Sequence, residues 1–209
     1  MPLDLWLAFV AATTALLLIP GPTVLLVLSY AISKGRSVSV ASALGVASGD
    51  FIAMTASLLG LGALVLTSAT LFTALKWVGA AYLIWLGIKL LRSAPSGGLV
   101  ATELRQDVTA RSVFGHTALV TALNPKSIAF FIAFVPQFIR PDTPLLPQFA
   151  ILIATFVGLA AINALAYALL ADRLRRTISR ASVITGLTRL GGATLVGMGV
   201  ATALLRRPS

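Results

Sequence analysis

Six apolar runs take up nearly the whole chain, near residues 5–32, 38–66, 71–91, 113–139, 145–171 and 186–205, and proline breaks two of them mid-run. A helix needs about 20 apolar residues to cross the hydrocarbon core of a bilayer, and each run meets that length. Backbone groups find no water in lipid, so runs of this kind are confined to helices that bond internally. Six such spans in 209 residues leave space for a single transmembrane domain and no sizeable soluble one. With 58% hydrophobic and only 11% charged residues, the chain has too few charges to solvate an ordinary soluble surface. The expected fold is therefore all-α and integral to a membrane, with six transmembrane helices.

The breaks are Pro20-Gly21-Pro22 in the first run and Asn124-Pro125-Lys126 in the fourth. Proline removes a backbone donor and clashes with the preceding turn, so it frees carbonyl groups inside the bilayer. Broken helices at one depth in two half-chains are the pattern of transporters whose solute sites use the freed backbone. A shift of 103 residues puts Pro22 on Pro125. A shift of 113 puts Gly45 on Gly158, Asp50 on Asn163, Lys76 on Arg189 and Gly79 on Gly192, the extra ten residues falling in the proline-rich stretch 140–148. These coincidences point to a three-plus-three repeat.

The halves are about 1–92 and 112–209, joined by a polar linker of about 93–111 that carries Ser93-Ala94-Pro95-Ser96-Gly97-Gly98 and then Glu103, Arg105 and Asp107. Such composition reads as a flexible connection. Loops one, three and five hold Lys34, Arg36, Lys89, Arg92, Arg105, Arg111, Arg173, Arg175, Arg176, Arg180 and Arg189, while the opposite side has Lys76, Arg140, Arg206 and Arg207. The positive-inside rule then puts those loops in the cytoplasm and both termini outside. Each half crosses with opposite polarity, so the repeat is expected to be inverted. The start, Met1-Pro2-Leu3-Asp4, has no basic residue and leads into a run longer than a secretory signal, so it reads as a retained helix.

Asp50 lies about 12 residues into the second run, hence about 18 Å deep. A carboxylate at that depth costs about 2.5 to 3.5 kcal/mol on insertion scales, which makes it a functional-site candidate. Static pinning of helices by the same carboxylate is the plain alternative. Lys126 falls at nearly the same depth in the fourth run and is a candidate countercharge; snorkelling along its own helix is the alternative for it. Two opposite charges at one level suit a zwitterionic solute, which exchanges its own ammonium and carboxylate for their contact. An amino acid is the simplest such solute. The breaks add helix-end amides for a carboxylate and bare carbonyls for an ammonium, with nothing in the spacing to say which end takes which group.

Ala41, Gly45, Gly49, Ala53 and Ser57 recur at four-residue intervals and make one helix face nearly flat. Close packing within the chain is the expected use, and a homodimer through the same face is the alternative. Trp6, Lys76, Trp77, Tyr82 and Trp85 read as interfacial anchors. His116 is the lone histidine, near the start of the fourth run, and reads as a surface residue. Cysteine is absent, which excludes disulfides and thiolate chemistry. The net charge of +10 sits at the ends of apolar runs, so nucleic acid is not an expected partner. One histidine and one intramembrane acid are too few for a transition-metal site, although a membrane exporter of inorganic cations shares the six-helix size. No nucleophile and base lie together, so no enzyme and no cofactor are expected.

Gly21-Pro22, Ser33-Lys34-Gly35-Arg36, Leu44-Gly45, Gly49-Asp50, Gly79-Ala80-Ala81-Tyr82-Leu83 with Gly87, Asn124-Pro125-Lys126, Phe130-Phe131 and Pro136-Gln137-Phe138 occur in this order. Together, from about residue 5 to 205, they resemble the lysine exporter and threonine/homoserine efflux (LysE/RhtB-type) translocators. The resemblance implies a six-helix secondary exporter of amino acids or related metabolites in a bacterial inner membrane, driven by the proton gradient. Carried over by position, it points to Gly21, Pro22, Asp50, Asn124, Pro125 and Lys126; the offset pairing with Asp50 adds Asn163. Many relatives have asparagine or glycine after the first Gly-Pro, where this chain has Thr23. The resulting expectation is alternating-access amino acid efflux in exchange for protons, with Asp50 as the proton-coupling group.

Overall fold

The computed structural model describes residues 1–19, 21–34, 38–67, 69–92, 109–140, 143–171 and 181–204. Among them the regular elements are helical: α1 (Leu3–Leu18), α2 (Pro22–Lys34), α3 (Ser39–Thr67), α4 (Ala69–Arg92), α5 (Ala110–Ala122), α6 (Pro125–Ala133), a 3-10 turn (Val135–Phe138), α7 (Leu145–Leu169) and α8 (Ala181–Leu204). The first apolar run is thus split into α1 and α2, and the fourth into α5 and α6. Most of the expected linker, and the basic cluster from Arg173 to Arg180, lie outside the described residues.

Both splits follow from local chemistry. Ile19 and Asn124 each precede a proline, and both are extended, at φ −73°, ψ 117° and φ −69°, ψ 111°. A residue before proline is pushed out of the helical region by the proline ring. Pro22 and Pro125 then open the next helices, where a missing N–H removes no helical bond and a fixed φ is already suitable. α1 and α2 meet at a bend of 57°.

α3 (over Ser39–Gly60) and α7 are each long and apolar enough to cross a membrane, and the bent pair α1 and α2 makes a third such element if counted as one span. The helices pack chiefly across the halves: α4 on α8, α3 on α5 and α7, and α1 on α7. Small residues permit the closest approaches. A Cβ at Gly45 would lie 2.6 Å from the Phe114 carbonyl oxygen, and one at Gly49 only 2.5 Å from that of Ala118. The flat face of α3 therefore serves contact within the chain, against α5. α4 and α8 cross in the same manner, with Gly87 and Gly192 each facing the other's carbonyl. Gly158, matched to Gly45 by offset, has open space around it, so these two glycines do not share a packing role.

An aromatic cluster fills the core between α1, α6, the 3-10 turn and α7. Phe131 meets Phe156 edge-on at 4.7 Å, Phe9 meets Phe138 at 5.3 Å, and Phe130 lies between Phe9, Phe134 and Phe156. Trp6 donates its indole N–H to the Thr155 hydroxyl at 3.0 Å and ties α1 to α7. Trp77 and Trp85 are exposed, with Lys89 over the Trp85 ring at 5.1 Å, an arrangement suited to a membrane boundary.

Candidate functional site

The two breaks face one another and enclose a small cavity. Its wall includes Gly21, Thr23, Asp50, Asn124, Lys126, Ser127, Asn163 and Tyr167, completed by apolar side chains such as Val27, Val46 and Ala160. The space open to the centre of a water molecule is only ≈ 20 Å³, enough for a single water and too small for an amino acid. Four helices from both halves supply the polar groups: α2, α3, α6 and α7.

The end of α1 is finished by side chains from elsewhere. A helix leaves its last carbonyls without intrahelical donors and carries partial negative charge there. Lys126 Nζ donates to the carbonyls of Leu16 (3.1 Å) and Ile19 (2.9 Å). Asn163 Nδ2 donates to Leu17 O at 3.2 Å, and the Tyr167 hydroxyl to Leu18 O at 3.2 Å. Four successive carbonyls thus receive one ammonium, one amide and one phenol. Gly21 lies beside the ammonium, and a Cβ there would stand in ordinary contact with Nζ at 3.4 Å.

The second break is finished locally. Asn124 caps α6 by accepting the Lys126 backbone N–H on its side-chain oxygen at 3.1 Å, the usual work of asparagine at a helix start. Its amide then reaches the other break, donating to Thr23 Oγ1 at 3.1 Å, and Thr121 adds a longer bond to the same hydroxyl at 3.4 Å. Thr23 thus joins the two interruptions as a shared acceptor.

Asp50 is 2% exposed, and its Oδ1 has no hydrogen-bond partner. The Lys126 and Ser127 side chains share its cavity. Lys126, however, directs its two hydrogen bonds to α1, so among the described residues no ion pair joins it to Asp50. A carboxylate and an ammonium line one cavity with the carboxylate incompletely satisfied, an arrangement that calls for a further donor.

Above the cavity along α2, Tyr30 is buried, and its hydroxyl shares a 2.7 Å hydrogen bond with His116 Nδ1 of α5. His116 is exposed, as expected, but it is also a clasp between the halves.

Of the residues singled out in the sequence, Gly21, Asp50, Asn124, Lys126 and Asn163 line the cavity. Pro22 and Pro125 do not; they start α2 and α6, and Pro125 faces a separate apolar groove beside α4. Ser127 and Tyr167 escaped the sequence reading. Tyr167 lies four residues after Asn163 and seven after Ala160, one row of α7 that also includes Ala164, and that spacing was the available signal.

Residues 14–206 match the family model for the LysE type translocator. The chain belongs to that family. A homoserine/homoserine lactone efflux protein of Salmonella typhimurium is 34% identical over 206 residues, covering 99% of both chains. A Vibrio cholerae protein known as an uncharacterized membrane protein is 35% identical over 97% of this chain and 98% of its own. A leucine efflux protein of Salmonella choleraesuis is 34% identical over 68% of this chain and 66% of its own. No solved structure matches the chain. LysE type translocators are transporters, so this protein is one and is not an enzyme.

Proposed function

We propose that this translocator exports amino acids or closely related small metabolites from the cytoplasm of a bacterium, through its inner membrane, in exchange for protons. The observation that carries the reading is the cavity at the paired breaks, where an unsatisfied Asp50 carboxylate and the Lys126 ammonium face the same space. Homoserine, its lactone and leucine, the solutes in the relatives' names, share a primary amine on the α-carbon. The lactone has no free carboxylate, so the ammonium is the group that a common site reads. An inorganic-cation exporter finds no support: the cavity offers one carboxylate beside an ammonium, and among the described residues no three His, Cys, Asp or Glu side chains gather.

The reading takes α1 with α2, α3, α4, α5 with α6, α7 and α8 as six spans in two inverted halves, both termini periplasmic. Reciprocal packing of the halves, two prolines in matched roles, and Asp50 and Asn163 lining one cavity support it. A cavity this small belongs to a closed conformation. Loading the solute requires α2 and α5 to part at the Tyr30–His116 clasp, and release requires the phenylalanine cluster to open. Gly21, Asn124, Lys126 and Asn163 contact the solute in this scheme, Pro22 and Pro125 hold the broken geometry, and Asp50 takes the proton that enters as the solute leaves.

The test is efflux of radiolabelled leucine or homoserine from proteoliposomes that contain the purified protein, with and without external acid. The wild type is expected to respond to the gradient and Asp50→Asn to lose that response. Undiminished gradient-driven efflux by Asp50→Asn would remove the coupling role.

A further inference from the structure

We infer that the carbonyl groups ending α1, from Leu16 to Ile19, form the subsite for the solute's primary ammonium, and that Lys126 occupies it as a tethered stand-in which an arriving solute displaces toward Asp50. The inference rests on the amino acid reading of the cavity and adds which end of the broken helix takes which group.

Lys126 Nζ is a primary ammonium held by two main-chain carbonyls at 2.9 and 3.1 Å, and an α-amino group has the same charge and the same three donors. The negative end of the α1 dipole favours a cation there irrespective of the rest of the solute. Asn163 and Tyr167 hold the neighbouring carbonyls of Leu17 and Leu18, so the cradle keeps its shape when Lys126 leaves. The destination is also present. Asp50 Oδ1 is buried, faces the same cavity and has no partner. A displaced Lys126 would satisfy it, so one buried contact is exchanged for another and no charge is stranded. No proton moves in this exchange; Lys126 remains an ammonium throughout.

The arrangement explains why the acid and the base share a cavity without pairing. Lys126 bonded to Asp50 belongs to the loaded site, and Lys126 bonded to α1 to the empty one. It also predicts selectivity by amine: a solute lacking the amino group cannot free Lys126 from α1.

The test compares the full-length wild type with Lys126→Met, and with Lys126→Gln as a second variant should the first fail to fold, in detergent micelles at one pH. Binding of 3-methylbutylamine (leucine without its carboxylate) and 4-methylpentanoate (leucine without its amine) is titrated by calorimetry. Emptying the cradle is expected to tighten amine binding by about tenfold, about 1.4 kcal/mol, and to leave the acid's binding no tighter. Amine binding unchanged by the substitution, or acid binding improved equally, would overturn the inference and return Lys126 to a fixed cap on α1. Wild-type efflux of leucine and homoserine is measured in parallel. If neither moves, the export reading fails, while the amine titration still decides the cradle.

Discussion

The two helix interruptions look alike in the sequence and are built differently. The one before α6 completes itself: Asn124 caps the helix that follows it, and α5, which leads into it, is locked to α3 through Gly45 and Gly49. The one after α1 borrows its donors from α6 and α7, through Lys126, Asn163 and Tyr167, and the glycine that packs on its end, Gly191 of α8, meets the Ile19 side chain and not backbone. One break is a platform, and the other is held by side chains able to let go. In a molecule whose proposed cycle alternates a shared site between two sides, such asymmetry assigns fixed and moving parts.

The sharpest way to break this contrast is at Lys126. Lys126→Met is expected to slow leucine or homoserine efflux from proteoliposomes by about a hundredfold, because the loaded site would then leave the buried Asp50 carboxylate without an ammonium partner, at a cost of about 3 kcal/mol. The melting temperature should change much less, because burying the ammonium in the bilayer was itself costly. A large drop in melting temperature with little change in efflux would make the α1 end a static joint, and the contrast would vanish.

The platform is tested at Gly49. An added methyl group would meet the Ala118 carbonyl at 2.5 Å and Thr121 Cβ at 2.7 Å. Backbone cannot yield as a flexible side chain does, so Gly49→Ala should destabilise by about 1 to 3 kcal/mol. Gly158→Ala, in the interior of α7 behind the movable break, meets nothing within 4 Å and should melt no lower than the wild type, since alanine is the better helix former. Equal effects from the two substitutions would remove the difference in rigidity between the sides.

Asn124 separates its two duties. Asn124→Ala loses the cap on α6 and the bond to Thr23, and should cost about 1 to 2 kcal/mol in thermal unfolding. Asn124→Asp keeps an acceptor for the Lys126 N–H but loses the amide donor to Thr23, so it should recover part of that stability. Failure of the aspartate to recover any would mean that the link between the breaks, and not the cap, sustains the platform.

Chain chemistry alone located both breaks to the residue, because proline acts on its immediate neighbours and needs no tertiary information. The place of Asp50 along α3 was equally readable, since it follows from counting along a helix. What Lys126 bonds to was not. Its long side chain reaches either Asp50 or α1, and the choice depends on how far α6 is rotated against α1, which packing decides. Trp6 shows the same limit: an indole near a helix start was readable as an anchor, but the bond from its N–H to Thr155 of α7 was not. Thr23 drew notice as a departure from relatives, yet its role as joint acceptor for Asn124 and Thr121 needed both halves assembled. The offset pairs divided likewise. Asp50 and Asn163 share one cavity, whereas Gly45 and Gly158 share only their residue type.

The mildest substitution discriminates between the donors at the end of α1. Tyr167 gives one hydrogen bond, between neutral groups, to Leu18 O. Tyr167→Phe should therefore cost about 0.5 kcal/mol, the low end for a neutral hydrogen bond, and change efflux by less than about threefold. Asn163, whose bond to Leu17 O is partly buried, should cost more when replaced by alanine. If Tyr167→Phe matched Lys126→Met in efflux, all the donors would be holding a single rigid cap. A graded series, large at Lys126 and slight at Tyr167, is what a displaceable ammonium on a lasting frame requires.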